Sequence, residues 1–449
     1  MTTDQTRSIL SLNAFEPGDA EALDPGLKAL VARRQASYGP SSLLFYREPL
    51  NVVKAEGNRI LTADGRSYVD FYNNVASVGH CNPRVADAVH AQMLTANSHS
   101  RYLYDICETY SERLLTTFPA PLAHVTFTCT GSEANDLALR IARSVTGGHG
   151  VVVTRGAYHG NTAAVTEVSP SSYKRGLPPA FVKLVEPPSR EAYGDDIAGG
   201  FTAAVDGAIA ELKAEGHGFA ALLVDSIFSS DGVFAEPAGF LKGAVDATRA
   251  GGGLVIADEV QPGFARTGDG MWGFLRHSVV PDIVTMGKPM GNGFPIGGVV
   301  TRPGLLVELQ EQFGYFNTFG GTPAAAAAGL AVLDAIEADG LMENARVTGA
   351  YLRERLQEMA ASLPVLSGVR GAGLYLGVSI TVPKEKWRGN TDPVSAIVNG
   401  LKDEGVLIGV AGLAADVLKI RPPLVAGKAD ADTLAERLET VLARLGLAG

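Results

Sequence analysis

The chain has 449 residues, of which 46% are hydrophobic and 19% charged, and its net charge is −10. That length exceeds one small core and predicts two or three domains, and the composition is that of a globular protein, not a disordered one. The acidic balance excludes partners that want a basic surface, so neither nucleic acid nor an anionic membrane is expected.

Three cysteines, Cys81, Cys107 and Cys129, are odd in number and widely spaced. They make no metal pattern and no disulfide framework, which predicts a reducing cytoplasm and no metal. Met1 to Leu12 is polar and lacks the apolar core of a signal peptide. No apolar run approaches the ~20 residues that span a bilayer.

Residues 1–50 predict an irregular arm with one short helix, around Pro25 to Arg34. Val52–Leu61 and Ser67–Asp70 read as strands around an Asp64-Gly65 turn. Phe71 to His80 is rich in Asn and small residues and can reach a ligand. Pro83–Leu94 is helical, with Val85, Ala88, Val89 and Met93 on one face. Asn97–Leu103, which carries Arg101, reads on its residues alone as a solvated loop. Val125–Cys129 is a strand that breaks at Thr130-Gly131-Ser132 into a helix. That geometry offers backbone N–H groups and a hydroxyl to a phosphate, although many such turns use Gly-Ser for capping alone. Val151–Val153 is a further strand, leading to Ala157-Tyr158-His159-Gly160. Tyr158 on its own also reads as a buried tyrosine with a satisfied hydroxyl.

Ala220–Val224 is a strand ending at Asp225, and Pro237–Ala250 is a crossover helix. Leu254–Ala257 and Ile283–Met286 are short apolar runs, closely followed by Asp258 and Lys288. Such runs suit buried parallel strands, and ligands sit beyond the carboxyl ends of such strands. Asp258 and Lys288 therefore point into one crevice. A carboxylate and an amine there suit pyridoxal phosphate: the lysine condenses with its aldehyde and the aspartate keeps its pyridine nitrogen protonated. A structural ion pair at a sheet edge fits the same two residues equally well.

Gly297–Thr301 is another strand, and the loop Tyr315–Gly321 precedes an Ala-rich helix from Pro323. Beyond about residue 330 come a long helix, Met342–Leu363, and strands at Val369–Ile380, Val406–Val410 and Asp416–Arg421. Helices follow at Val394–Glu404 and Ala431–Leu445, and Pro383–Asp392, with Trp387, is the most loop-like insertion. The alternation predicts an α/β fold. Residues 71–329 are expected to form a large domain with a mostly parallel sheet between helices. Residues 1–70 and 330–449 are expected to form a smaller α+β domain.

Asp258-Glu259-Val260-Gln261, Gly287-Lys288-Pro289 and Gly131-Ser132-Glu133-Ala134-Asn135 resemble the cofactor motifs of the class III (ω-type) aminotransferase family. This is a fold type I pyridoxal phosphate family, and the resemblance covers nearly the whole chain. It implies that Lys288 carries the cofactor and acts as the base, and that Asp258 pairs with the pyridine nitrogen. It implies that Gln261 bonds the ring hydroxyl, that Tyr158 stacks on the ring, and that Gly131 and Ser132 hold the phosphate. Thr318 would reach the cofactor phosphate of the neighbouring subunit, which implies an obligate homodimer with shared active sites.

Many members of the family carry an Arg three residues before a Pro-Pro pair, where it binds the carboxylate of a keto acid, gated by a Glu. Here Leu418-Lys419-Ile420-Arg421-Pro422-Pro423 puts Lys419 at that position, and Ser230 takes the place of the Glu. Asn73-Asn74-Val75-Ala76, Gly79-His80-Cys81, Asn97-Ser98, Ser100-Arg101-Tyr102-Leu103 and Val417-Leu418-Lys419-Ile420 resemble the ethanolamine-phosphate phospho-lyase branch. The activity so implied is elimination of phosphate from a phosphorylated amine. Arg101, Lys419 and Asn74 are the expected second anion site, Arg101 first among them, with Arg421 and Lys174 as outer candidates. Asp225–Gly232 does not match that branch closely. The alternative is therefore an ω-aminotransferase acting on an amine or ω-amino acid. A third reading, a cofactor-binding protein without turnover, is disfavoured by the intact Lys288, Asp258 and Gln261.

Overall fold

The computed structural model describes residues 13–39, 41, 43–383, 385, 387, 389 and 392–448. Met1 to Leu12 and several positions of the expected Pro383–Asp392 insertion lie outside the described residues. The chain first builds β1 (Val52–Glu56), β2 (Arg59–Thr62) and β3 (Ser67–Asp70), an antiparallel run. The single strand expected over Val52–Leu61 is thus a hairpin. Glu56 pairs with Arg59, and Gly57 at the turn has φ 59°, a left-handed conformation that glycine takes without steric cost.

Seven strands then make the central sheet: β4 (His124–Thr128), β5 (Gly150–Thr154), β6 (Val182–Val185), β7 (Phe219–Val224), β8 (Leu254–Asp258), β9 (Ile283–Met286) and β10 (Gly297–Thr301). Their order is β4-β10-β9-β8-β7-β5-β6, and β10 alone runs opposite to the other six. The α/β expectation with a mostly parallel sheet is met. Strand β6 and the helices Asp105–Leu115 and Ile197–Ala214 were not anticipated. The crossover helix begins at Lys242, five residues after Pro237. Successive residues of β8 serve opposite faces. Val255 and Ala257 join one apolar cluster, Leu254 and Ile256 another. Helices cover both faces, which is why β8 is apolar without alternation. The Ala-rich helix Pro323–Ala338 packs on helix Pro83–Thr95, where Val85 is buried while Met93, at the far end, stays exposed.

Beyond the long helix Leu341–Ser362 come β11 (Leu366–Ala372), β12 (Tyr375–Ile380), β13 (Val406–Leu407), β14 (Gly409–Ala411) and β15 (Val417–Ile420). The strand expected over Val369–Ile380 is part of a second hairpin, β11–β12, turning at Gly373, whose φ is 52°. Val406–Val410 also divides. Strand β13 pairs in parallel with β3, then the chain crosses at Ile408 so that β14 pairs with β15. A third core joins Tyr68 and Phe71 of the early segment to Leu352, Leu376, Leu401 and Leu438 of the late one. That packing sets Tyr72 and Asn74 beside the end of β15.

Candidate active site

Strands β8 and β9 run in parallel with Asp258 opposite Thr285, so Asp258 and Lys288 leave the same edge of the sheet as expected. They line a cavity of about 330 Å³ with Thr130, Gly131, Ser132, Tyr158, His159, Asp225 and Gln261. Asp258 is nearly buried. Its Oδ2 accepts from Asn135 Nδ2 at 2.9 Å and lies 2.8 Å from His159 Nδ1, and its Oδ1 accepts from the Val260 N–H at 3.0 Å. Asn135 Oδ1 in turn accepts from Thr285 Oγ1 at 2.7 Å. Neither Asn135 nor His159 was assigned a role from the sequence. The available signal was their position, Asn135 one turn into the helix that opens at the Gly-Ser turn, His159 directly after Tyr158 beyond β5.

The helix Gly131–Thr146 opens onto this cavity. Thr130 caps it by accepting from the Glu133 N–H, which leaves earlier N–H groups and the Ser132 hydroxyl beside the cavity. A Cβ at Gly131 would meet Val260 Cγ2 at 2.7 Å, and one at Gly287 would meet the Gly131 nitrogen at 2.9 Å. Only glycines let the helix start lie this close to the Lys288 turn. The Lys288 side chain stands in the open crevice, reached by solvent, with protein around its amine. Burial, then the charge of Arg421, push that amine down to about 8, against the pull of Asp258 and Asp225. Tyr158 is half-buried, and burial pushes its hydroxyl up.

A second cavity of about 350 Å³ shares Tyr158, Gln261 and Lys288 with the first, so the two are compartments of one site. Its remaining lining includes Phe45, Tyr72, Ser230, Val410, Lys419 and Arg421. Among the described residues that line it there is no carboxylate. Arg421 Nη1 donates to Gln261 Oε1 at 2.6 Å and to Asn74 Oδ1 at 3.1 Å, and its guanidinium lies 4.7 Å from the Tyr72 ring centre. Gln261 also accepts from the Tyr375 hydroxyl at 2.9 Å and donates to Ser229 Oγ at 2.7 Å. Its amide is therefore engaged at both ends. Burial and Arg421 hold the Lys419 amine well below the ordinary lysine range, while Asp225 pulls it upward.

Of the expected site residues, the structure brings together Lys288, Asp258, Gly131, Ser132, Tyr158, Gln261, Lys419 and, through Arg421, Asn74. It does not bring Arg101 into the cavity of its own chain. Arg101 is exposed, with its guanidinium 3.9 Å above the Phe316 ring. Thr318 lies exposed in that same loop and lines neither cavity, and Lys174 is exposed elsewhere. Arg421, an outer candidate in the sequence, is central.

The chain belongs to the class III aminotransferase family, whose pattern matches residues 46–442. It is 38% identical over 434 residues to an alanine–glyoxylate aminotransferase 2 homolog, mitochondrial, of Arabidopsis thaliana, covering 94% of this chain and 88% of the relative. It is 32% identical over 420 residues to ethanolamine-phosphate phospho-lyase homolog 1 of Caenorhabditis elegans, covering 88% of this chain and 89% of that one. Among solved structures, a phospholyase from Arthrobacter in complex with phosphoethanolamine superposes with a TM-score of 0.88 at 44% identity, covering 93% of this chain and all of the other. The fold is that of fold type I enzymes, and pyridoxal phosphate is the cofactor. The residues present fit it: a lysine amine, a carboxylate held by three N–H groups, and an open helix N-terminus lined by glycine share one cavity. No helix among the described residues is long and apolar enough to cross a membrane.

Proposed function

We propose that the protein is a phospho-lyase that eliminates phosphate from a small phosphorylated amine such as ethanolamine phosphate, giving an aldehyde, ammonia and inorganic phosphate. The observation that carries this reading is the second cavity. It places Lys419 and Arg421 beside Lys288, with Ser230 instead of an acid at the gating position. Such a pocket favours a substrate that brings its own negative charge. The likeness to the Arthrobacter phospholyase supports the same reading.

Bound pyridoxal phosphate supplies an electron sink for the carbon that bears nitrogen. The chain's residues do the rest. Gly131 and Ser132 would hold the cofactor phosphate at the helix start, Asp258 would face the ring nitrogen, and Tyr158 the ring. Gln261, tied to Arg421, would lie at the ring hydroxyl. Lys288, with its amine near neutrality, removes the proton from the carbon bearing nitrogen. Arg421 and Lys419, with Asn74 positioning Arg421, hold the substrate phosphate. The unsaturated amine left behind hydrolyses to aldehyde and ammonia.

The working unit we propose is a cytoplasmic homodimer, with Thr318 of each protomer reaching the other's cofactor phosphate. In support, Leu103, Phe316 and Phe319 are exposed around Arg101 and Thr318. The division at about residues 70 and 330 belongs to the same proposal. The alternative is an ω-aminotransferase, favoured by the identity to alanine–glyoxylate aminotransferase 2 relatives. The cofactor spectrum after substrate is exhausted separates them. A lyase returns the cofactor to its aldehyde form, whereas a transaminase given amine alone leaves it as an amine.

A further inference from the structure

A phosphate monoester is mostly a dianion at neutral pH, because its second pKa is near ~6. If its carbon–oxygen bond breaks in that state, the oxygen departs as trianionic phosphate unless a proton reaches it. Lys288 carries a proton once it has taken one from carbon, and a cation seated at the phosphate itself is the competing donor. If the phospho-lyase reading holds, a donor already seated beside the phosphate has the shorter path to the leaving oxygen.

The substrate cavity offers few candidates. Arginine is a poor proton donor in general, and Arg421 is engaged with Gln261 and Asn74. The Tyr158 hydroxyl is pushed up by burial and holds its proton. Lys419 differs from both. It projects from β15, is 4% exposed, and lines the cavity with its amine 5.8 Å from the Tyr375 ring centre. Among the described residues no carboxylate forms an ion pair with it. The charged groups facing it are Arg421 on its own strand, Lys288 beyond β9, and Asp225 and Asp231 beyond β7. Two cations and burial make its proton easier to release than that of an ordinary lysine, and an arriving phosphate dianion keeps it charged until needed.

We propose that Lys419 is the general acid of the elimination, donating a proton to the bridging oxygen while Lys288 takes the proton from the carbon bearing nitrogen. The carbon–hydrogen electron pair becomes the new carbon–carbon double bond. The carbon–oxygen pair leaves with the oxygen, which receives the Lys419 proton, so the product is hydrogen phosphate dianion. Lys288 ends protonated and Lys419 neutral, and return of one proton across the cavity they share restores the starting state. Arg421 binds the non-bridging oxygens and gives up no proton.

The test compares ethanolamine phosphate with ethanolamine O-sulfate, whose leaving sulfate needs no proton. Lys419→Arg keeps the charge but not the donor. Its kcat on the phosphate ester should fall about 10²- to 10⁴-fold, the usual range for a lost general acid, with KM little changed. The sulfate ester should lose far less, and calorimetry should show that inorganic phosphate still binds. Equal losses on both esters, or an undiminished kcat on phosphate, would overturn the assignment. Should the variant not fold, the wild type still decides. Activity on the phosphate ester should decline on the alkaline side as Lys419 loses its proton, and the sulfate ester should lack that limb. Identical alkaline limbs, or a sulfate ester that is not eliminated, count against the proposal. A wild type that releases no phosphate removes the phospho-lyase reading itself. Phosphate release undiminished in Lys419→Arg removes only the role of Lys419.

Discussion

Asn135 donates to the Asp258 carboxylate at 2.9 Å and to the His159 carbonyl at 2.7 Å. One buried amide thus locks the aspartate at the end of β8 to the loop beyond β5. Without it Asp258 would keep two donors, the Val260 N–H and His159 Nδ1. A hydrogen bond to a charged group contributes about 1.5–3 kcal/mol. Asn135→Leu should therefore weaken pyridoxal phosphate binding about ten- to a hundredfold. Titration of the apoenzyme, followed by visible absorbance, measures this. Unchanged affinity would mean that Asp258 is oriented without Asn135.

The cations of the substrate cavity should rank differently from their order in the sequence. Arg421 lines the cavity, whereas Arg101 lies over Phe316 on an exposed face. Arg421→Met should lower kcat/KM for ethanolamine phosphate about ten- to a hundredfold, for a lost charge-assisted contact. Arg101→Ala should cost less. Steady-state kinetics on both variants decides, and a larger loss at Arg101 would place the anion site across a subunit boundary.

The shared site can be tested by complementation. Lys288→Ala removes the cofactor linkage, and Thr318→Asp puts a negative charge where a partner's phosphate is expected. Each variant alone should be inactive, and a mixed dimer should regain one working site. Absence of recovery in heterodimers demonstrated by mass would show that Thr318 serves no neighbouring cofactor.

What was legible in the sequence follows from range. Asp258 and Lys288 could be placed because each closely follows a short apolar strand, and parallel neighbours send such residues to the same edge. The Gly131-Ser132 turn was legible for the same local reason. Hairpins were lost where a single glycine turns the chain with no Pro or longer polar loop to mark it, as at Gly57 and Gly373. The role of Arg421 was hidden because its partners are 160 and 347 residues away in sequence. On its residues alone the Arg101 loop reads as solvated, and only the resemblance put Arg101 first; sequence does not report which way a loop faces.

Acid should destabilise the fold partly through His277. It is fully buried, its Nε2 lies 2.8 Å from the Ser226 carbonyl oxygen, and burial lowers it to about 4 from an ordinary 6.5. A base with a depressed folded-state pKa contributes stability that is present above its unfolded pKa and lost as pH falls through the folded one. The window is therefore from about 6.5 down to about 4, and the full linkage is on the order of 3 kcal/mol. Urea unfolding at stepped pH should show this slope, and His277→Gln should flatten it. An unchanged slope in the variant would assign the acid sensitivity to other groups.

The most direct measurement is phosphate released per active site from ethanolamine phosphate, with no keto acid present and cofactor equal to sites. A phospho-lyase built on Lys288, Lys419 and Arg421 should release many equivalents of phosphate, matched by aldehyde and ammonia. Release of no phosphate would contradict it, and a halt after one equivalent of amine transfer that pyruvate relieves would make the protein an aminotransferase.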